Sequence, residues 1–204
     1  MPESDQQTEK HDNGQETFAL KDGKLDGEVV SYDEAGQVKQ KANFKEGVLN
    51  GETIIYDEAG LILQKMVFKN GLLDGLMVIC NEGKPLVVLP HKEGKPDGEA
   101  ITYGENGKVL LKAEYKGGKL EGVSTWYDKE GRVVKRSQFK GGKLQGFTVE
   151  YYPSGKVQTK AQFKANQPDG EMVGYAEDGK VKERVLYKDG KPQPSPAQPS
   201  PAQR

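Results

Sequence analysis

Gly23-Lys-Leu-Asp-Gly27-Glu-Val-Val-Ser-Tyr32-Asp-Glu-Ala-Gly36 decides the fold, because near-copies of it return along the chain, among them Gly118-Lys-Leu-Glu-Gly122-Val-Ser-Thr-Trp-Tyr127-Asp-Lys-Glu-Gly131. A unit opens at Gly23, Gly47, Gly71, Gly94, Gly118, Gly142 and Asn166, with a truncated eighth at Gly190, and every step is 24 residues except the third, which is 23. A second glycine follows four residues into each unit, and a third closes a turn of the Tyr-Asp-Glu-x-Gly kind. Glycine kept this strictly marks backbone at positive φ or too close to a neighbour for a Cβ. Asn166 supports this, since asparagine is the next most tolerant residue of left-handed geometry.

Between the glycines lie two short segments of period two. Glu28, Val30 and Tyr32 share one side of the first, and Val38, Ala42 and Phe44 one side of the second. Alternating β-branched and aromatic residues bounded by glycine turns read as strand, turn, strand. The expected fold is therefore all-β: an elongated single-sheet antiparallel β-meander of about seven hairpin repeats, each covered only by its neighbours. Three segments follow: 1–17 polar and mobile, 18–191 the repeat array, 192–204 a proline-rich tail. Phe18 and Leu20 imitate the end of a preceding unit and are candidates to cap the first edge strand.

The pattern also assigns faces. One face is expected to hold the aromatic row that includes Tyr32, Tyr56 and Tyr127, the row that includes Phe44, Phe68 and Phe139, and between them the branched row of Val30, Ile54, Val78 and their counterparts. The other is expected to be lysine-rich, with Lys41, Lys65, Lys112, Arg136, Lys160 and Arg184 as a solvated row.

The repeated units resemble MORN-type repeats, most closely the bacterial variant of the YwqK antitoxin family, over Gly23 to about Pro192. That resemblance implies a protein partner, a toxin or secreted effector that the chain neutralises as an antitoxin or immunity protein. The alternative is a non-catalytic scaffold or an envelope- or membrane-associated interaction protein. It carries over no catalytic residue, because the shared motif consists of turn glycines and core aromatics.

Composition agrees with a binding role. Thirty basic residues against 31 acidic ones leave no global pull toward nucleic acid. The two histidines and one cysteine give a triad or metal site little to draw on, so no enzyme activity, cofactor, catalytic residue or metal ligand is expected. His91 fills an aromatic slot and Cys80 a tyrosine slot, both read as core substitutions. The Asp-Glu pairs lack the ligand spacing of calcium loops and read as turn formers. A chain starting at Met1 without an apolar leader is expected in the cytoplasm, or in the periplasm or envelope if a leader was removed.

Candidate partner-binding residues are those that break the repeat rule. Units two and three set Ile55, Leu61, Leu63, Val67, Met77, Ile79, Leu86 and Val88 where the lysine-rich face is expected. An apolar patch there implies a partner protein or second copy, or a cover formed by residues 1–20. In units five and six, Trp126 faces away from the tyrosine row and Tyr152, like Phe147, replaces a polar residue; both Trp126 and Tyr152 are candidate anchors.

Overall fold

The computed structural model describes residues 6–11 and 14–194. They contain strands and turns and no helix, and the strands pair antiparallel in chain order, the long ones passing over two-residue strands such as Lys24–Leu25 and Leu72–Leu73 that pair only with the strand before them. Two compact units divide the chain, Met1–Lys119 and Leu120–Arg204. Each is a meander of the expected hairpins.

Pairing begins earlier than the array boundary expected at residue 18. Gln6–His11 pairs with Gly14–Lys21, which in turn pairs with Gly27–Tyr32 through Thr17 opposite Val30 and Glu16 opposite Ser31. Leu20 lies opposite Leu25, so 14–21 serves as the second strand of a unit preceding Gly23. At the other end Tyr187 faces Pro192 and the Gln193 N–H donates to Leu186 O; residues 195–204 of the expected tail lie outside the described residues.

The opening glycine sits in a two-residue hairpin turn whose central residues both have positive φ, as in Glu46–Gly47 (52° and 81°) and Ala165–Asn166 (50° and 73°). Such a turn matches the right-handed twist of the strands it joins. Its glycine also stitches units together: the Gly47 N–H donates to Leu25 O, Gly71 to Leu49 O, Gly142 to Leu120 O and Gly190 to Pro168 O, at 2.8–2.9 Å. The acidic residue before the second glycine adds another stitch. Asp26, Asp97, Glu121 and Asp169 each accept the backbone N–H that precedes the next opening glycine. Thus the Leu-Asp-Gly signature holds consecutive hairpins in register.

The third glycine closes the expected acidic turn. Asp57 Oδ1 accepts the N–H groups of Ala59 and Leu61 at 2.9 and 2.8 Å, and Asp128 Oδ1 those of Glu130 and Arg132 at 3.0 and 2.9 Å. These aspartates are turn formers. Unit three replaces the longer turn with Glu82–Gly83, a tight pair at φ 49° and 71° closed by Asn81 opposite Lys84. That substitution accounts for its missing residue.

Face assignment departs from expectation. Ser31 pairs with Gln40 but Tyr32 with Val38, a β-bulge that recurs beside Tyr56, Tyr103, Tyr127, Tyr151 and Tyr175. One extra residue in the returning strand reverses which of its side chains meet those of the first strand. Val29 therefore pairs with Ala42, and Val30 with Lys41. The Phe44 and Tyr32 rows lie on opposite faces, and the lysine row shares its face with the branched row.

On one face, called the small-residue face, runs Val29–Ala42–Thr53–Met66, and in the second compact unit Ser124–Ser137–Thr148–Ala161–Met172. Flanking that row, each second-strand aromatic pairs with its unit's second glycine: Phe44 with Gly27, Phe68 with Gly51, Phe139 with Gly122. The ring is thus set beside backbone that has no side chain of its own. Ala42, Thr53, Ser124 and Ser137 keep 3% or less of their surface exposed. Among the described residues no second layer packs on either unit's sheet, so the core is mainly this row, sheltered by same-face neighbours, with Val30 and Val173 buried on the opposite face.

Candidate interaction surface

The other face, called the basic face, alternates branched and basic residues from strand to strand: Val30–Lys41–Ile54–Lys65–Val78, then Ile101–Lys112, and in the second compact unit Arg136–Val149–Lys160–Val173–Arg184. Lysine and arginine stems can lie along the branched neighbours while their charged ends reach water. Each cation also has a carboxylate slot, one residue after the second glycine of its unit. Glu52 meets Lys65 at 2.6 Å, Glu99 meets Lys112 at 3.1 Å and Glu171 meets Arg184 at 3.1 Å.

Unit three breaks this arrangement at both ends of the pair. Leu76 stands in the carboxylate slot and Val88 in the cation slot. Val88 pairs with Val78 on one side and Ile101 on the other, and Leu76 pairs with Pro90. The result is an apolar patch of Val67, Leu76, Val78, Val88, Pro90 and Ile101 on a face that elsewhere alternates charge with branched residues. Leu76 keeps 50% of its surface exposed.

The candidate residues of units two and three divide between the faces. Val67 and Val88 lie on the basic face, whereas Ile55, Met77 and Ile79 lie on the small-residue face, with Ile55 and Ile79 both opposite Gln64 and Met77 opposite Leu89. Leu61 is at the turn held by Asp57, and Leu63 lines an open cleft of about 520 Å³ with Asp33, Lys39 and Tyr56. Leu86 lines a separate cleft of about 250 Å³ beside Pro85 and Gly104. The single patch of eight is thus divided, two on the basic face, three on the small-residue face and three at turns or clefts, because the bulge reverses parity within each hairpin. Leu76, Val78 and Pro90 were not among the candidates. The signal for Leu76 was present in the carboxylate slot, which reads Glu28, Glu52, Leu76, Glu99, Val123, Phe147, Glu171 across the units.

Of the other candidates, Trp126 pairs with Lys135, whose Nζ stands 5.6 Å from the ring centre, and Lys135 in turn contacts Glu150 at 3.6 Å. Trp126 is on the small-residue face beside Ser124. The Tyr152 hydroxyl donates to Tyr175 O at 2.7 Å and so ties one turn to the next. His91 lies opposite Gly75 and Pro96, the aromatic's place in this register, with Nδ1 3.0 Å from Leu89 O. Cys80 is half-buried, and desolvation raises its thiol pKa, which disfavours the reactive thiolate. Among the described residues no group of three or more His, Cys, Asp or Glu side chains is placed to hold a metal ion, and no helix is long and apolar enough to cross a membrane.

Titration shifts occur at the turns. The Lys188 ammonium, bonded to Asp169 at 3.1 Å, and the Asp189 N–H hold the Asp169 carboxyl below the ordinary aspartate range. At Asp128 partial desolvation opposes the shift, but bonds from Arg132 lower the pKa nonetheless.

No curated protein matches the chain. The profile of the MORN repeat variant matches residues 25–46, 96–116, 148–165 and 168–189. Three of these segments run from the Leu or Pro of the unit opening through the second-strand aromatic, the portion in which stitch, bulge and aromatic–glycine pairing are built, and 148–165 starts after its unit's second glycine and covers the bulge and the aromatic. These four segments are similar to the MORN repeat variant.

Proposed function

We propose that the chain is a binding protein of the antitoxin or immunity kind, which occludes a toxin or secreted effector with the basic face of its sheet. The observation that carries the reading is the paired replacement in unit three, where Leu76 and Val88 take the places of a carboxylate and a cation together. Losing one member alone would strand a charge; losing both makes an apolar surface that water does not favour and a partner can cover. MORN-type repeats support a protein-binding module, and the resemblance to the antitoxin family supports the finer assignment.

The test restores the pair. The double variant Leu76→Glu, Val88→Lys copies the arrangement of units two and four and is expected to fold. Co-expression with the products of adjacent genes should identify one that the wild-type chain neutralises and binds, and the double variant should lose that protection. If no adjacent gene product is bound or neutralised, or if the double variant protects as well as wild type, the reading is wrong. Co-sedimentation with anionic vesicles that vanishes at high salt would instead favour an envelope-associated scaffold.

A further inference from the structure

Units five and six depart from the rule in a different way from unit three. Their carboxylate slots hold Val123 and Phe147, yet their cations, Arg136 and Lys160, are kept. Among the described residues neither cation takes part in an ion pair; the Lys160 Nζ lies 4.3 Å from the centre of the Phe147 ring. The acids of this stretch are all engaged elsewhere. Glu121 accepts the Gly141 N–H, Asp128 and Glu130 bind Arg132, and Glu150 contacts Lys135 on the other face. Residues 120–165 contain nine basic and four acidic side chains, although the whole chain carries a net charge of −1. Arg136 lines an open cleft of about 470 Å³ with Tyr151 and Pro153.

We propose that this part of the basic face binds an acidic segment of a partner protein, whose carboxylates pair with Arg136 and Lys160 as Glu52, Glu99 and Glu171 pair with the cations of their own units. Arg136 and Lys160 both pair with Val149, so they stand two strand spacings apart, about 10 Å. Val149 lies between them, Phe147 is two residues before it on the same strand, and Val123 lies on the far side of the Arg136 strand, opposite Gln138; Phe147 and Val123 are exposed at 40% and 44%. A carboxylate gains a charge-assisted bond, bidentate at the guanidinium, while apolar side chains of the segment meet phenylalanine and valine. Two cations among apolar side chains suit a short acidic peptide better than a polyanion, whose affinity grows with the number of phosphates neutralised. The inference rests on the protein-binding reading, not on the toxin-neutralising one.

The probe is a fluorescein-labelled peptide of repeated Glu-Val-Pro triplets, which as a polyproline II helix sets its carboxylates about 9 Å apart along one side. Titrated into the full chain, it should bind with an affinity that falls as salt rises, and should shift the backbone amide resonances of Val123, Arg136, Phe147 and Lys160. Val123→Glu with Phe147→Glu gives these units the carboxylates found elsewhere in the chain, and should weaken the peptide about tenfold or more. Arg136→Gln with Lys160→Gln should do the same, while Leu76→Glu with Val88→Lys should leave peptide binding unchanged. No binding, equal binding by the Glu variants, shifts located elsewhere, or tighter binding of single-stranded DNA or phosphatidylserine vesicles than of the peptide would each overturn the proposal. Because the unit-three variant reads only the neutralising surface, failure of one proposal is separable from failure of the other.

Discussion

Residues 51–91 and residues 122–163 start from one repeat plan and leave it in opposite chemical directions. The first stretch turns apolar on both faces: Met66, Met77 and Leu89 follow Thr53 in the small-residue row, and Leu76 with Val88 removes an ion pair from the basic face. The second keeps its small row polar, where Thr148 Oγ1 donates to Ser137 Oγ at 3.0 Å, and on its basic face drops only the acids. The strand pairing is the same in both, so the fold tolerates either chemistry. What differs is the surface offered to a partner: apolar in one stretch, cationic with aromatic in the other.

Glycine replacement should separate the two stretches most strongly. A Cβ at Gly75, where φ is +140°, would lie 2.8 Å from the Cβ of Val67, a stem that cannot swing aside. At Gly146, φ +101°, the nearest obstacle is the amide end of Gln138, which can rotate away at the loss of its bond to the Phe147 N–H. Gly75→Ala should therefore cost about 2–3 kcal/mol and Gly146→Ala about 1–2, read from urea unfolding midpoints. Equal losses would mean that backbone strain alone decides both.

The buried hydroxyls come next and should respond with opposite signs. Thr148→Val would leave the buried Ser137 hydroxyl without its partner, a loss of about 1–2 kcal/mol. Thr53 Oγ1 is buried with no hydrogen-bond partner among the described residues, so Thr53→Val, close in shape, should be neutral or stabilise by up to about 1 kcal/mol. A loss at Thr53 as large as that at Thr148 would show that a water satisfies it.

Exchanging the residue opposite the second glycine gives a smaller contrast. His91→Phe should stabilise unit three by about 0.5–1 kcal/mol, and Phe139→His should cost about as much, because the same register places both beside a glycine. A thermal melt of each variant checks the pair.

Acid should give the smallest effect, through the carboxylate stitches made by Asp26, Asp74, Asp97, Glu121 and Asp169. The Asp169 carboxyl has a lowered folded pKa, so its contribution is complete above the ordinary aspartate value and is lost as pH falls through the folded value. Asp169→Asn should flatten the stability profile below about pH 4, the unfolded aspartate range, and leave its shape at neutral pH unchanged. A change of slope near pH 6 in that variant would point to another group.

Repeat length, strand type and turn positions were legible because each depends on local backbone preference: a glycine every few residues, an Asx turn, an alternating strand. The face assignment was not. It depends on one bulge per hairpin beside Tyr32 and its equivalents, and a single unpaired residue has no composition signal, yet it moves Phe44 to the face opposite Tyr32 and divides Ile55 from Val67. Leu76 and Val123 could have been found, as Phe147 was, by comparing units slot by slot, since each replaces a glutamate that other units keep. The stitch made by Asp26 and Asp169 was hidden for another reason: a turn aspartate looks the same whether it bonds its own turn or the next one.

The register itself is tested most directly by cross-strand methyl contacts in the nuclear Overhauser spectrum of the intact chain. Directly opposite Cβ atoms lie about 4.5–5.5 Å apart, so the Ala42 methyl should show contacts to the methyls of Val29 and Thr53, and the Ala161 methyl to that of Thr148. Contacts from Ala42 to Val30 and Ile54 instead would place the lysine and branched rows on opposite faces and contradict both proposed surfaces.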